Sequence, residues 1–175
     1  EDEYATLVEA LTAVYKNGPY PAPVTIDCKA GADVGKMTHG HVADDIIING
    51  NGARVSYNGE TKSCEGDLEF DTWKYSRSTG EQANDGKYLE KDVNVVVNDL
   101  DGIGAWGQRN TMHTINIKFN NCKKMTKVLF RSGQNDSVGD INVELNNCSF
   151  DKTLNANATP DTSVHITSPA NVKIK

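Results

Sequence analysis

The residues best suited to chemistry are thinly spread along this chain. Asp99 and Asp101 flank Leu100, with Asp92 a little upstream. Two carboxylates so close offer the hard oxygen ligands that calcium takes. Asp is also a common turn former, because its side chain bonds nearby backbone amides, and that is the plainer role for both. Asp136 and Asp140, with Asn135 and Gly139, invite the same two readings. His39-Gly40-His41 puts two imidazoles on one face of an extended segment, near Asp44 and Asp45. A zinc site there would need a third ligand from elsewhere in the fold, and a solvated loop is the simpler alternative. His113 and His165 stand alone.

Aromatic recognition has one clear candidate. Trp106 lies in Gly102-Ile103-Gly104-Ala105-Trp106-Gly107-Gln108-Arg109, a Gly-rich stretch between apolar runs. A Trp presented there, with Gln108, Arg109 and Asp101 nearby, suits stacking on a sugar ring. The competing reading folds its ring down over the side of the domain. Trp73 is the other tryptophan. The chain contains no Gly-x-Ser-x-Gly, phosphate loop or His-Glu-x-x-His, so nucleophilic and zinc-protease chemistry have no visible constellation. The four cysteines, at 28, 64, 122 and 148, include no Cys-x-x-Cys pair, and their spacing does not read as a zinc site.

Charge narrows the partners. The net charge is −6, whereas nucleic acids and anionic membranes select clustered Lys and Arg. The nearest basic cluster, Lys123-Lys124 with Lys127 and Arg131, is short. No apolar run approaches the roughly 18 residues of a membrane span. Glu1 opens an acidic helical segment without a leader, as expected of a mature or excised chain, which leaves secretion open.

These residues must be positioned by short strands, and three near-copies show how. Val93-Asn94-Val95-Val96-Val97-Asn98-Asp99-Leu100 is followed by Ile115-Asn116-Ile117-Lys118-Phe119-Asn120-Asn121-Cys122, then by Ile141-Asn142-Val143-Glu144-Leu145-Asn146-Asn147-Cys148. Their starts lie 22 residues apart (93 to 115) and 26 apart (115 to 141). Repeats of that period signal a stacked architecture. The odd positions are apolar and the even ones largely polar, the period-two pattern of a strand with one buried face. Stacked in parallel about 4.8 Å apart, the copies make one continuous core. The intervals between them lack helical periodicity, which favours a β-solenoid over a βαβ array. Asn98, Asn120 or Asn121, and Asn146 or Asn147 mark the bends, since Asn tolerates left-handed backbone and its amide can bond along a stack. Among these, Asn98, Asn121 and Asn147 are taken as structural. Leu100, Cys122 and Cys148 follow the bend and are expected inside, the two cysteines as neighbours. A disulfide and stacked thiols both fit that spacing, and reduced buried thiols are preferred.

Residues 2–17 read as an amphipathic helix with Asp2 as N-cap, ended by Gly18-Pro19, Pro21 and Pro23. It would cover the open end of a sheet stack. The expected organisation is a capping helix and linker over 1–23, then coils over 24–175. Val24-Thr25-Ile26 and Ile46-Ile47-Ile48-Asn49 are early strands. The latter precedes Val95-Val96-Val97-Asn98 by 49 residues, about two periods, so a coil carrying Leu68-Glu69-Phe70-Asp71 is expected between them. Residues 74–91 read as an exposed loop, 155–162 as another. Lys127-Val128-Leu129-Phe130 is a strand on a different side of the coil. Val164-His165-Ile166 and Val172-Lys173-Ile174 end the chain on strand pattern, and further coils or another domain are expected to cover that end.

The capping helix, Val24-Thr25-Ile26, Ile46-Ile47-Ile48-Asn49-Gly50-Asn51-Gly52-Ala53 and the Asn-marked bends resemble the right-handed parallel β-helix of the pectate and pectin lyase-like superfamily. The resemblance implies an all-β right-handed parallel β-helix with an N-terminal capping α-helix. That superfamily includes polysaccharide lyases, glycoside hydrolases, phage tailspikes, adhesins and non-catalytic bacterial surface domains. Its lyases hold calcium on acidic residues and use an Arg or Lys base. In this chain the positions of Asp99 and Asp101 become Asn121 and Lys123, then Asn147 and Ser149, so the repeats do not build an acidic cluster. The expectation is a non-enzymatic extracellular domain of a bacterial surface protein, serving adhesion or carbohydrate contact through Trp106, Gln108, Arg109 and Asp101. Glycan or host surface is the implied partner, and no cofactor is called for beyond calcium at Asp99 and Asp101. The alternative is an N-terminal fragment of a polysaccharide lyase or glycoside hydrolase whose catalytic coils would lie beyond Lys175, and a third reading is a structural spacer that displays other domains. An enzyme should gather at least three ionisable side chains on one sheet face.

Overall fold

The computed structural model describes residues 2–60, 63–64, 66–70, 92–107, 114–130, 140–150, 165–166 and 172–174. In chain order they form α1 (Leu7–Asn17), β1 (Val24–Asp27), β2 (Met37–His41), β3 (Ile46–Arg54), β4 (Tyr57–Asn58), β5 (Ser63–Cys64), β6 (Gly66–Glu69), β7 (Val93–Asp101), β8 (Ala105–Gly107), β9 (Ile115–Asn120), β10 (Val128–Phe130), β11 (Ile141–Asn146), β12 (His165–Ile166) and β13 (Val172–Ile174). Apart from the β4–β5 hairpin, successive strands alternate between two parallel sheets. Sheet A runs β1-β3-β7-β9-β11-β13, and sheet B runs β2-β6-β8-β10-β12. This is a parallel β-solenoid.

Alternation decides which face is buried. Val93, Val95, Val97, Ile115, Ile117 and Phe119 are all at most 2% exposed. They stack in register, Val93 on Ile115, Val95 on Ile117 and Val97 on Phe119. Sheet B meets them with Met37, Leu68, Ala105 and Val128, all fully buried. Burying an aliphatic or Phe side chain contributes roughly 1.5–3 kcal/mol, and a strand this short gains it only beside its neighbours.

Two columns of asparagine mark the bends. Asp99, Asn121 and Asn147 have φ of 50°, 56° and 52°, the left-handed conformation that Asn and Asp tolerate best among residues with a Cβ. One residue earlier, Asn98, Asn120 and Asn146 form a ladder. Asn98 Nδ2 donates to Asn49 Oδ1 (3.0 Å), Asn120 to Asn98 (2.8 Å) and Asn146 to Asn120 (2.9 Å). Asn98 therefore belongs with Asn120 and Asn146, while Asn121 and Asn147 share a separate bond, Nδ2 of Asn147 to Oδ1 of Asn121 at 2.7 Å. At the other end of the strands Asn142 donates to Asn116 (2.8 Å) and Asn116 to Asn94 (2.9 Å). Both main ladders end on a carboxylate that only accepts. Asn49 donates to Asp27 Oδ1 (2.7 Å) and Asn94 to Asp45 Oδ1 (3.2 Å).

Two expectations are corrected. β3 pairs directly with β7, Ile46 on Val95 through Asn49 on Asn98, so the 49-residue interval is one enlarged coil. Leu68 and Glu69 lie in sheet B of that coil, paired with β2 and β8. The hairpin β4–β5 takes up part of the extra length; residues 71–91 lie outside the described residues. The helix begins at Leu7, with Thr6 as N-cap in place of Asp2. Thr6 Oγ1 accepts from Glu9 N (3.2 Å) and Glu9 Oε2 from Thr6 N (3.3 Å). This reciprocal capping box outcompetes an isolated Asp. Leu7 N–H also bonds Val34 O (3.0 Å), tying the helix start to the first coil. Leu7, Leu11 and Val14 are buried on its inner face, and α1 packs over β2 at the end of the stack.

Candidate functional site

The outer face of sheet B brings aromatic, acidic and basic side chains together. In β8, Ala105 and Gly107 are buried while Trp106 between them is half-buried. Register aligns Trp106 with Glu69 of β6 and Leu129 of β10, and Glu69 with His41 of β2. A second row lies two residues back along the strands. There Lys127 Nζ stands 3.2 Å from Asp67 Oδ2, and Thr126 Oγ1 donates to Asp67 Oδ1. Gly104 lies between them, and a Cβ at that position would collide with Thr126 Oγ1, Asp67 Oδ1 and Lys127 O. The missing side chain is what lets the Asp67–Lys127 pair close across β8. Thr38, Gly66, Asp67, Glu69, Trp106 and Lys127 together line a cavity of about 260 Å³.

The groups differ in how tightly they are held. Asp67 is only 9% exposed, and both its oxygens have donors. It anchors Lys127 and is poorly placed to move a proton. Glu69 is more open and lies 3.5 Å from His41 Nδ1. The His41 ring in turn packs against Tyr15 of α1 at 5.6 Å between centroids. The capping helix thereby backs one end of the groove. An aromatic face, a carboxylate and an ammonium around a concave space are the groups that bind hydroxyl-rich ligands.

The residues singled out in the sequence are divided by this geometry. Trp106 is in the groove. Asp101 stands at the end of β7 and accepts from Lys123 N at 3.2 Å. Asp99 is the left-handed residue of its bend, so a cation held by these two would draw further ligands from elsewhere. Asp44 Oδ2 accepts from Tyr20 N (2.7 Å) and Asp45 Oδ1 from Asn94 N (2.8 Å), and His41 turns to Glu69 and Tyr15. Among the described residues no three His, Cys, Asp or Glu side chains are grouped to hold a metal ion. Asp92 is exposed ahead of β7, and Asp140 precedes β11. Trp73, Gln108, Arg109, His113, Asn135, Asp136 and Gly139 lie outside the described residues. His165 falls in β12. Cys122 is fully buried, Cys148 partly, and both are free thiols.

Asp67, Glu69 and Lys127 escaped sequence reasoning, although a signal was present. Asp67-Leu68-Glu69-Phe70 alternates outward acid with inward apolar, and Lys127-Val128-Leu129 does the same with a base. Only the coil register places the two segments on either side of Trp106. Comparison with family models, with curated proteins and with solved structures gave no match.

Proposed function

We propose that this protein is an extracellular β-solenoid domain of a bacterial surface protein, making carbohydrate contact in adhesion through the groove on sheet B. The observation that carries the reading is Trp106, held on the outer sheet face beside Glu69 and Lys127 around a cavity of about 260 Å³. A Trp ring offers a flat apolar face to a pyranose, and the charged groups at its edge bond the hydroxyls. The net charge of −6 favours this class of ligand over nucleic acid. Trp106→Ala should abolish binding on a glycan array while the thermal midpoint stays within about 2 °C, since a half-buried surface ring contributes little to the core. Binding that survives the substitution refutes the role of the groove.

A second reading draws on the same groove. Three ionisable side chains, Asp67, Glu69 and Lys127, converge on one sheet face, as a polysaccharide lyase or hydrolase would need. Asp67 and Glu69 are two residues apart on one strand and so share its outer face, as the paired carboxylates of a hydrolase must. Against it stands Asp67, whose oxygens are both engaged. Incubation of the array glycans with the protein separates the readings: new reducing or unsaturated ends mean cleavage, and intact glycans mean binding alone.

A further inference from the structure

The sulfurs of Cys122 and Cys148 occupy the same place in successive coils. Each cysteine follows a left-handed bend residue, Asn121 or Asn147. Each sulfur sits over the carbonyl of its own rung and that of the rung below. Cys122 Sγ is 3.5 Å from Asn120 O and 3.7 Å from Val97 O, and Cys148 Sγ is 3.4 Å from both Asn146 O and Phe119 O. The backbones on either side are locked together by Asn121 N to Asn146 O (2.9 Å) and Ser149 N to Cys122 O (3.1 Å). In-register parallel neighbours place their Cα atoms about 4.8 Å apart, inside the span a disulfide bridges. The neighbouring Cys148 sulfur and burial push the Cys122 thiol up, while the neighbouring Cys122 thiol draws Cys148 down. They differ in access. Cys122 is fully buried, whereas Cys148 is partly exposed, beside Lys123, whose Nζ bonds Asn147 Oδ1 at 2.9 Å. An accessible thiol with a buried thiol against it is the arrangement of an attacking and a resolving cysteine.

We propose that Cys148 and Cys122 form a dithiol–disulfide couple that is oxidised by low-molecular-weight disulfides, cross-linking two adjacent coils. The Cys148 thiolate attacks one sulfur of the small disulfide, breaking its S–S bond and expelling one thiolate. Cys148 is left in a mixed disulfide. Cys122 loses its proton to the expelled thiolate and attacks the Cys148 sulfur, releasing the second small thiolate, which takes up the proton lost by Cys148. One small disulfide and two protein thiols become one protein disulfide and two small thiols. The protein sulfurs lose two electrons and the small disulfide gains them.

The test is to incubate the folded chain with excess oxidised glutathione, block remaining thiols after denaturation and map the cysteines by peptide mass spectrometry. The expected result is a linked pair of peptides carrying Cys122 and Cys148, lighter by two hydrogens than the reduced pair. Cys122→Ser should accumulate a stable glutathione adduct on Cys148, and Cys148→Ser should leave Cys122 unmodified. Cys122→Ala, which removes the resolving thiol without adding a buried hydroxyl, should accumulate the same adduct, so the reading does not hang on one variant's folding. Thiols that both stay reduced in the folded chain, a stable adduct on Cys148 in the unsubstituted chain, or cross-links that run instead to Cys28 or Cys64 would overturn the proposal.

Discussion

The asparagine ladder has a polarity, and reversing one rung should expose it. Every rung donates from Nδ2 toward the N-terminal coil and accepts at Oδ1 from the next, so a carboxylate fits only where the ladder ends, at Asp27. Asn120→Asp keeps the acceptor for Asn146 but replaces the donor to Asn98 with a charged oxygen. A net hydrogen bond worth about 0.5–1.5 kcal/mol is lost, and two acceptors now face each other in a part-buried position, adding about 1–3 kcal/mol. The stronger, charge-assisted bond from Asn146 offsets some of this. The expected destabilisation is about 2–3 kcal/mol. Asp27→Asn is the control, since an amide oxygen still accepts from Asn49, and its cost should stay below about 1 kcal/mol. Urea denaturation at pH 7, followed by circular dichroism, reads both variants against the parent. Below about pH 4 the new carboxyl becomes protonated and can donate to Asn98 Oδ1, so the Asn120→Asp deficit should shrink on acidification. Equal midpoint shifts for the two variants, or a deficit that grows in acid, would refute a directional ladder.

Two further outcomes follow from packing and charge. Phe119→Ala removes a fully buried ring stacked on Val97 and should cost about 3–5 kcal/mol by the same denaturation assay; a loss below about 1 kcal/mol would mean the sheet A rungs are not the core. Asp33 is held below the usual carboxylate range by the Ser56 hydroxyl and the Gly35 amide, with Arg54 assisting. A folded-state carboxyl that is more acidic than its unfolded counterpart adds stability above the unfolded value near pH 4, and that stability is lost as pH falls through the folded value. Asp33→Asn should therefore lower the thermal midpoint at pH 7, by a modest amount because the side chain is 43% exposed, and the difference from the parent should vanish by about pH 2.

Periodicity in the chain is a local property, and what rests on it was legible. The apolar odd positions of 93–97, 115–119 and 141–145 announce a buried strand face, because side chains alternate across a strand whatever it pairs with. The sheet B strand at Val128–Phe130 and the juxtaposition of Cys122 with Cys148 follow from the same arithmetic, and the Gly18-Pro19 stop from proline's missing N–H. The ladder at Asn94, Asn116 and Asn142 went unread, although Asn recurs in the second position of every copy.

Register is a tertiary property, and it decided the rest. A 49-residue interval reads the same whether it holds two coils or one with an excursion; Ile46 lying directly on Val95 settles that, because only one strand can occupy each flank of β3. The repeats set Asn98 with Asn120 and Asn146, and Asp99 with Asn121 and Asn147, but only the structure shows that the first column runs as a ladder down to Asn49 while the second takes the left-handed bend. The groove depends most on the fold. Asp67, Gly104 and Lys127 come from three coils, and their meeting around Trp106 exists only once sheet B stacks those coils about 4.8 Å apart. Alternation and asparagine placement along the chain are enough to bury every second residue of its short strands and to turn it at asparagine. Which strand lies on which, and so which charges share a surface with Trp106, was decided by the stacking alone, because contacts between coils join residues that no local spacing relates.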